Sequence, residues 1–215
     1  MTNFTFNDHP EVTEDFKRVW NKLDPITDEH KAIYYHIPKC GGSSMKRFCE
    51  NENSIVYAGH RRVRHTPIEI IDRRLFKFTF TRNPYDRLVS AYSYLVNGFG
   101  NEHDVEYGKK LSPDFNYFVK KQLPDIMKNS WWDFIHFIPM SFYIDEKVNF
   151  VGRLENYQQD LNHVCNVIGI PTQQLTHNNK SKHKHYTEYY DGESRSIVRE
   201  IYREDFEKFK YEWLQ

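Results

Sequence analysis

The stretch Tyr34-Tyr35-His36-Ile37-Pro38-Lys39-Cys40-Gly41-Gly42-Ser43-Ser44-Met45 constrains this chain more than any other. Ala32 to Ile37 is apolar or aromatic at most positions, as a short buried strand is. Pro38 has no N–H to give a central ladder, so the strand ends there. Gly41 and Gly42 allow a tight turn whose N–H groups point into one hollow. Ser43 or Ser44 is then placed to cap a helix through Met45-Lys46-Arg47-Phe48. Strand, glycine turn and helix N-terminus together favour an anion, because N–H groups without helical partners and the helix dipole both attract negative charge. Lys39 adds a full positive charge at the rim. A turn that uses glycine for geometry alone is the competing reading. The nucleotide-triphosphatase pattern G-x-x-x-x-G-K-[ST] does not match, since Lys39 precedes both glycines.

A chain of 215 residues suits one domain with a full core, with boundaries expected at 1–30 for a peripheral lead-in and 31–215 for the domain. Lys+Arg and Asp+Glu both number 30, so no global field argues for nucleic acid or a membrane surface, and any anion site must be local. Met1 to Asp15 has no apolar signal core, and no 18-residue apolar run occurs anywhere, so no membrane span is expected. Cys40, Cys49 and Cys165 are odd in number and lack C-x-x-C spacing, which favours reduced thiols in a cytoplasmic compartment. A membrane-anchored enzyme shortened by its anchor would read the same way. Oligomeric state is not legible.

Further along, a helical patch lies around Val12 to Leu23, and Ser54-Ile55-Val56-Tyr57 reads as a second strand ending at Ala58-Gly59-His60. Thr66-Pro67 opens a short helix through Ile71. Leu75 to Thr81 alternates, with Phe76, Phe78 and Phe80 on one side and Lys77 and Thr79 on the other. Asn83, Pro84 and Asp86 form a helix-start signature for a helix over about Pro84 to Val96. Residues 97–112, rich in Gly, Asn and charge, read as a mobile flap. Phe115 to Gln122 reads as helix, and the aromatic run Trp131 to Pro139 as core. Val148 to Arg153 reads as a strand, Leu154 to Ile168 as a helix closed by Gly169, and Glu193 to Lys210 as one final helix. Alternating strands and helices argue for a parallel α/β sheet, whose ligands gather beyond the carboxyl ends of the strands. Lys39, His60 and Arg82 all stand at such ends.

Two motifs carry a family resemblance. His36-Ile37-Pro38-Lys39-Cys40-Gly41-Gly42-Ser43-Ser44 resembles the 5′-phosphosulfate loop of sulfotransferases that use 3′-phosphoadenosine 5′-phosphosulfate (PAPS). Arg82-Asn83-Pro84-Tyr85-Asp86-Arg87-Leu88-Val89-Ser90-Ala91-Tyr92 resembles their 3′-phosphate motif, with Arg82 and Ser90 eight residues apart. Phe150 to Glu155 and His177 to Ser181 are further echoes, and the branch most similar is the carbohydrate (glycosaminoglycan-type) sulfotransferase family 2. The resemblance spans roughly residues 31–212. It implies a P-loop-type three-layer α/β fold with a central parallel β-sheet flanked by helices. It implies PAPS as donor, with Lys39, Cys40, Gly41, Gly42, Ser43 and Ser44 on its 5′ side, Arg82 and Ser90 on its 3′-phosphate, and Arg153, Lys180 and Ser181 as further contacts. It implies a hydroxyl-bearing acceptor, expected to be a carbohydrate. The Thr residues usual in the loop are Ser43 and Ser44 here, and Cys40 stands at a variable place.

Arg82 offers a fork of donors and Ser90 a hydroxyl, the groups a phosphate monoester needs. The sulfuryl group carries less charge than a transferring phosphoryl group, so backbone N–H groups and Lys39 are expected to stabilise its transfer with no metal ion. His60 is the expected general base: histidine is the side chain whose ordinary pKa lies nearest neutrality, and Gly59-His60 matches the Gly-His that holds the base in the resembling enzymes. His65 and Glu69 are fallbacks, and His36 is expected to orient the strand end. Arg61, Arg62 and Arg64 have two open readings, recruitment of an anionic acceptor or a solvated basic turn. For Arg82 the structural alternative is a salt bridge to Asp86 or Asp72. Competing functions are a small-molecule kinase of the same fold, a binding module that holds PAPS or its desulfated product (PAP) without turnover, and a metal protein built on His177, His183 and His185.

Overall fold

The computed structural model describes residues 26–71, 73–175 and 184–215. The expectations for the helix near Val12, for Asp72, and for His177, Lys180, Ser181 and His183 lie outside these residues. In chain order the elements are β1 (Ala32–Tyr35), α1 (Gly42–Asn51), β2 (Ile55–Tyr57), α2 (Ile68–Ile71), β3 (Phe76–Thr81), α3 (Pro84–Val96), α4 (Glu102–Lys109), α5 (Leu123–Asn129), β4 (Phe150–Arg153), α6 (Tyr157–Ile168), α7 (Gly192–Ile201) and α8 (Arg203–Phe209). The described residues fall into two compact units, one of residues 26–82 and 142–175, the other of residues 83–141 and 184–215.

The first unit is built on a four-stranded sheet in the order β2-β1-β3-β4, parallel throughout. Ala32 faces both Ile55 and Phe76 across the ladders, and Phe78 faces Phe150. Side chains alternate between two buried faces. On one, Ala32, Tyr34, Phe78 and Phe80 pack with Met45 and Phe48 of α1 and Tyr157, Leu161 and Val164 of α6. On the other, Ile33, Tyr35 and Val56 pack with Val63, Leu75 and the partly buried Ile70 of α2. The result is the expected three layers. The polar residues of β3 are buried too, and their side chains bond to backbone: Thr79 Oγ1 donates to the Tyr35 carbonyl (2.7 Å) and Thr81 Oγ1 to that of Gly152 (3.1 Å). Gly169 ends α6 in the left-handed conformation at φ 68°, as its sequence position predicts.

In the second unit α3 spans the residues its start signature predicts, with Asn83 Oδ1 accepting the Tyr85 N–H at 3.0 Å and Pro84 in the first turn. Residues 97–112 are not loop throughout. They contain α4, started by a capping box in which Asn101 Oδ1 accepts the Asp104 N–H and the Asp104 carboxylate accepts the Asn101 N–H. Asp104 also lies 3.6 Å from His136, in the aromatic run, where Trp131, Phe134, Phe137 and Ile138 are buried as core. The helix at Phe115–Tyr117 continues through a π-helical turn, Phe118–Gln122, into α5. The final helix is two, broken at Tyr202, whose hydroxyl donates to the Phe137 carbonyl (2.7 Å). Beside it the buried Asp205 accepts the Met140 and Ser141 N–H groups at 2.8 and 2.7 Å. Burial raises the Asp205 pKa, and the charge of Arg87 opposes that rise. Among the described residues, no helix is long and apolar enough to cross a membrane.

Candidate active site

In a parallel sheet every strand presents its carboxyl end on the same edge. At that edge the chain leaves β1 through Pro38 and takes a left-handed conformation at Lys39 (φ 68°) and again at Gly41 (φ 83°). Lys39 is one of only two non-glycine residues with positive φ among those described, a conformation a side chain resists and a functional loop retains. α1 starts at Gly42 with Gly41 as its N-cap, and no side chain caps it. Neither serine therefore serves as the expected cap. Because Gly41 turns left-handed, the helix begins earlier than the serine positions suggest and carries Ser43 and Ser44 inside its first turn, where the Ser44 N–H bonds back to the Gly41 carbonyl (3.1 Å). The first N–H groups of α1 thus face out of the helix end, as an anion cradle requires.

The cradle is held tightly from beneath. Tyr157 Oη donates to the Gly41 carbonyl at 2.7 Å, and a β-carbon on Gly41 would lie 2.8 Å from both Leu154 Cδ1 and the Tyr157 ring. A β-carbon on Gly42 would overlap the His36 ring. Cys40 is fully buried between these contacts. Both glycines are thus required by close approach, and the geometry-only reading accounts for their presence but not for the cation and helix end they bring together.

Beyond β2 the ladder to β1 continues: Ala58 N–H donates to the Tyr34 carbonyl (2.9 Å) and His36 N–H to that of Gly59 (2.8 Å). This brings His60 against His36, ring centroids 4.3 Å apart and planes at 52°. His36 Nδ1 in turn lies 2.6 Å from Tyr57 Oη. Burial pushes the Tyr57 pKa up to about 12, with Cys49 and Glu50 adding to the rise and Arg61 opposing it. The basic turn that follows departs from both sequence readings at two positions. Arg61 and Arg62 are buried, so neither is solvated nor turned out to recruit an acceptor. The Arg61 guanidinium donates to the Ala58 carbonyl, while Arg62 Nε donates to the Phe142 carbonyl (2.9 Å) and its guanidinium stacks 3.4 Å over the Phe142 ring. Only Arg64 of the three is exposed. Both buried arginines fasten the turn that presents His60.

Arg82, just past β3, donates from its guanidinium to the Lys39 carbonyl at 3.3 Å, which lays it along the cradle. Arg153 closes β4 opposite Thr81, with its N–H bonded to Asp160 Oδ2 (2.6 Å). Lys39, His60, Arg82 and Arg153 therefore share the carboxyl edge of one sheet within one unit. Ser90 is buried in α3, in the other unit. Among the described residues no group of three or more His, Cys, Asp and Glu could hold a metal ion. The sequence reading overlooked Tyr57 and Tyr157 as parts of the site. Tyr57 had a signal, as the last strand residue before Ala58-Gly59-His60, whereas Tyr157 showed only helical spacing.

The family model of the sulfotransferase family matches residues 25–212. Human carbohydrate sulfotransferase 9 is 24% identical over 86% of this chain and 52% of its own length. Carbohydrate sulfotransferase 14 of Danio rerio is 27% identical over 68% of this chain and 48% of its own length. The chain thus spans about half the length of these curated relatives. Among solved structures, mouse sulfotransferase SULT7A1 complexed with PAP aligns with a TM-score of 0.42 and 15% identity, covering 94% of this chain and 73% of that one. With nearly its whole length matched by the family model, and the loop, the strand-end cations and the three layers in place, this chain belongs to the sulfotransferase family.

Proposed function

We propose that the protein transfers the sulfuryl group of PAPS to a hydroxyl of a carbohydrate acceptor. The observation that most supports this is the shared edge of Lys39, His60 and Arg82, with the Arg82 guanidinium on the Lys39 carbonyl. The names of the matched relatives, all carbohydrate sulfotransferases, point to the acceptor class. In this reading the N–H groups of the α1 start and the Lys39 ammonium meet the 5′-phosphosulfate. Arg82 and, from its place in the motif, Ser90 take the 3′-phosphate, with Arg153, Lys180 and Ser181 as further nucleotide contacts.

PAPS supplies a sulfur whose bond to the 5′-phosphate oxygen is the one that breaks. The acceptor oxygen attacks that sulfur in line as His60 takes the hydroxyl proton. Charge grows on the departing 5′-phosphate oxygen, and Lys39 stabilises it there. The competing kinase reading lacks the P-loop lysine position. With all three cysteines buried as thiols, the proposal extends to a reducing, cytoplasmic compartment. The test is transfer of labelled sulfate from PAPS across a panel of mono- and oligosaccharides, lipids, phenols and peptides. Label on a carbohydrate that vanishes in His60→Ala supports the reading. Transfer to phenols alone overturns the acceptor, and PAP binding with no transfer to any member favours a binding module.

A further inference from the structure

We propose that Tyr57 and His36 form a positioning pair that fixes the base His60 in register with the phosphate loop. This rests on the reading of His60 as base. Three contacts of the His36 ring carry the inference. Its Nδ1 lies 2.6 Å from Tyr57 Oη. Burial raises the Tyr57 pKa to about 12, so the hydroxyl is protonated at neutral pH, and in the proposed pair it donates to Nδ1, with the His36 proton on Nε2. The Nε2 edge of the ring rests where a side chain on Gly42 would stand, against the start of α1. The ring also meets His60 at 4.3 Å between centroids.

His36 is therefore a wedge between the cradle and the base. Nδ1 is engaged by Tyr57, and the Nε2 edge lies against the loop backbone at Gly42. The His36 N–H to the Gly59 carbonyl (2.8 Å) fixes the backbone on which His60 hangs, and the ring then limits where the His60 imidazole can turn. A displacement of about 1 Å at such a group costs on the order of a hundredfold in rate, so a part that holds it in place acts on turnover and not on donor affinity. The arrangement also explains why Gly42, which has no left-handed conformation to satisfy, must still be glycine.

The test uses Tyr57→Phe, which keeps the buried ring and removes only the hydroxyl, together with His36→Asn. Long-range proton–nitrogen NMR of the histidine rings reads the arrangement without any turnover. The wild type is expected to show His36 with its proton on Nε2, and Tyr57→Phe a mixture of tautomers at His36 with a changed His60 signal. In rate measurements with PAPS and the best acceptor of the panel, both variants should lower kcat by about tenfold, the equivalent of one good hydrogen bond. PAP affinity by calorimetry should stay within about twofold, since a positioning role leaves ground-state donor binding alone. Tyr57→Phe combined with His60→Ala should lose no more than His60→Ala alone. Unchanged His36 and His60 signals in Tyr57→Phe, or losses that add fully in the double variant, would overturn the pair. Full turnover in His60→Ala would instead remove the base reading, while the NMR result would still judge the wedge.

Discussion

Three glycines show how differently one residue type can be required. Gly42 has no positive φ, and its restriction is the His36 ring occupying the place of a side chain. Gly169 has φ 68° and open space around it, so its requirement is conformational only. Gly41 has both, at φ 83° and with Tyr157 and Leu154 in contact distance. Gly169→Ala is accordingly expected to lower stability by about 1 kcal/mol, the cost of a side chain in the left-handed region. Gly41→Ala should lose about 2–4 kcal/mol, because overpacking adds to that cost. Urea unfolding of the two variants checks the order, and equal losses would mean that the contacts beneath the loop are slack. Glycine at both loop positions was legible in the sequence as a cradle. The buried fate of Arg62 was not, because its partner Phe142 lies 80 residues on and no local pattern announces it.

At the scale of elements, the start signals were the most legible features. Asn83-Pro84 set the first residue of α3 because a proline at the first helical position and a side-chain acceptor before it leave little choice. The same chemistry was present at Asn101-x-x-Asp104 and would have found α4, but glycines and charges around it read as a loop. The start of α7 offers a test in pH. Lys120 donates to the Asp191 carboxylate (2.5 Å), and the Ser194 N–H does as well (2.9 Å). The lysine bond first and the Ser194 N–H second hold the Asp191 pKa down at about 2 against an ordinary 3.8. A folded pKa below the unfolded one means that the contribution is present above pH 3.8 and lost as pH falls from 3.8 towards 2. Acid unfolding followed by circular dichroism should therefore show Asp191→Asn less sensitive to pH in that window than the wild type. Identical acid profiles would show that the pin contributes nothing. Asn101→Ala should cost about 1 kcal/mol through loss of the α4 cap, read in the same urea experiment.

For the molecule as a whole, the sheet order β2-β1-β3-β4 explains why residues far apart in sequence meet at one edge, since parallel strands send every following loop the same way. The alternation of strands and helices made the layers legible in advance. The division into two compact units was not, because the second unit is assembled from segments on either side of β4 whose contacts no local pattern reveals. A nucleotide bound to the folded chain alone should raise its apparent stability by about 2.7 kcal/mol at a hundred times its Kd, a Tm gain of roughly 5–10 °C. The central claim is that a lysine-bearing glycine loop and Arg82 grip one doubly phosphorylated adenosine. Calorimetric titration of the protein with PAP tests it most directly, beside Lys39→Ala and Arg82→Ala. The account predicts one site per chain in the wild type, weakened at least tenfold by either substitution. No heat of binding from PAP, or an affinity that neither substitution changes, would contradict it.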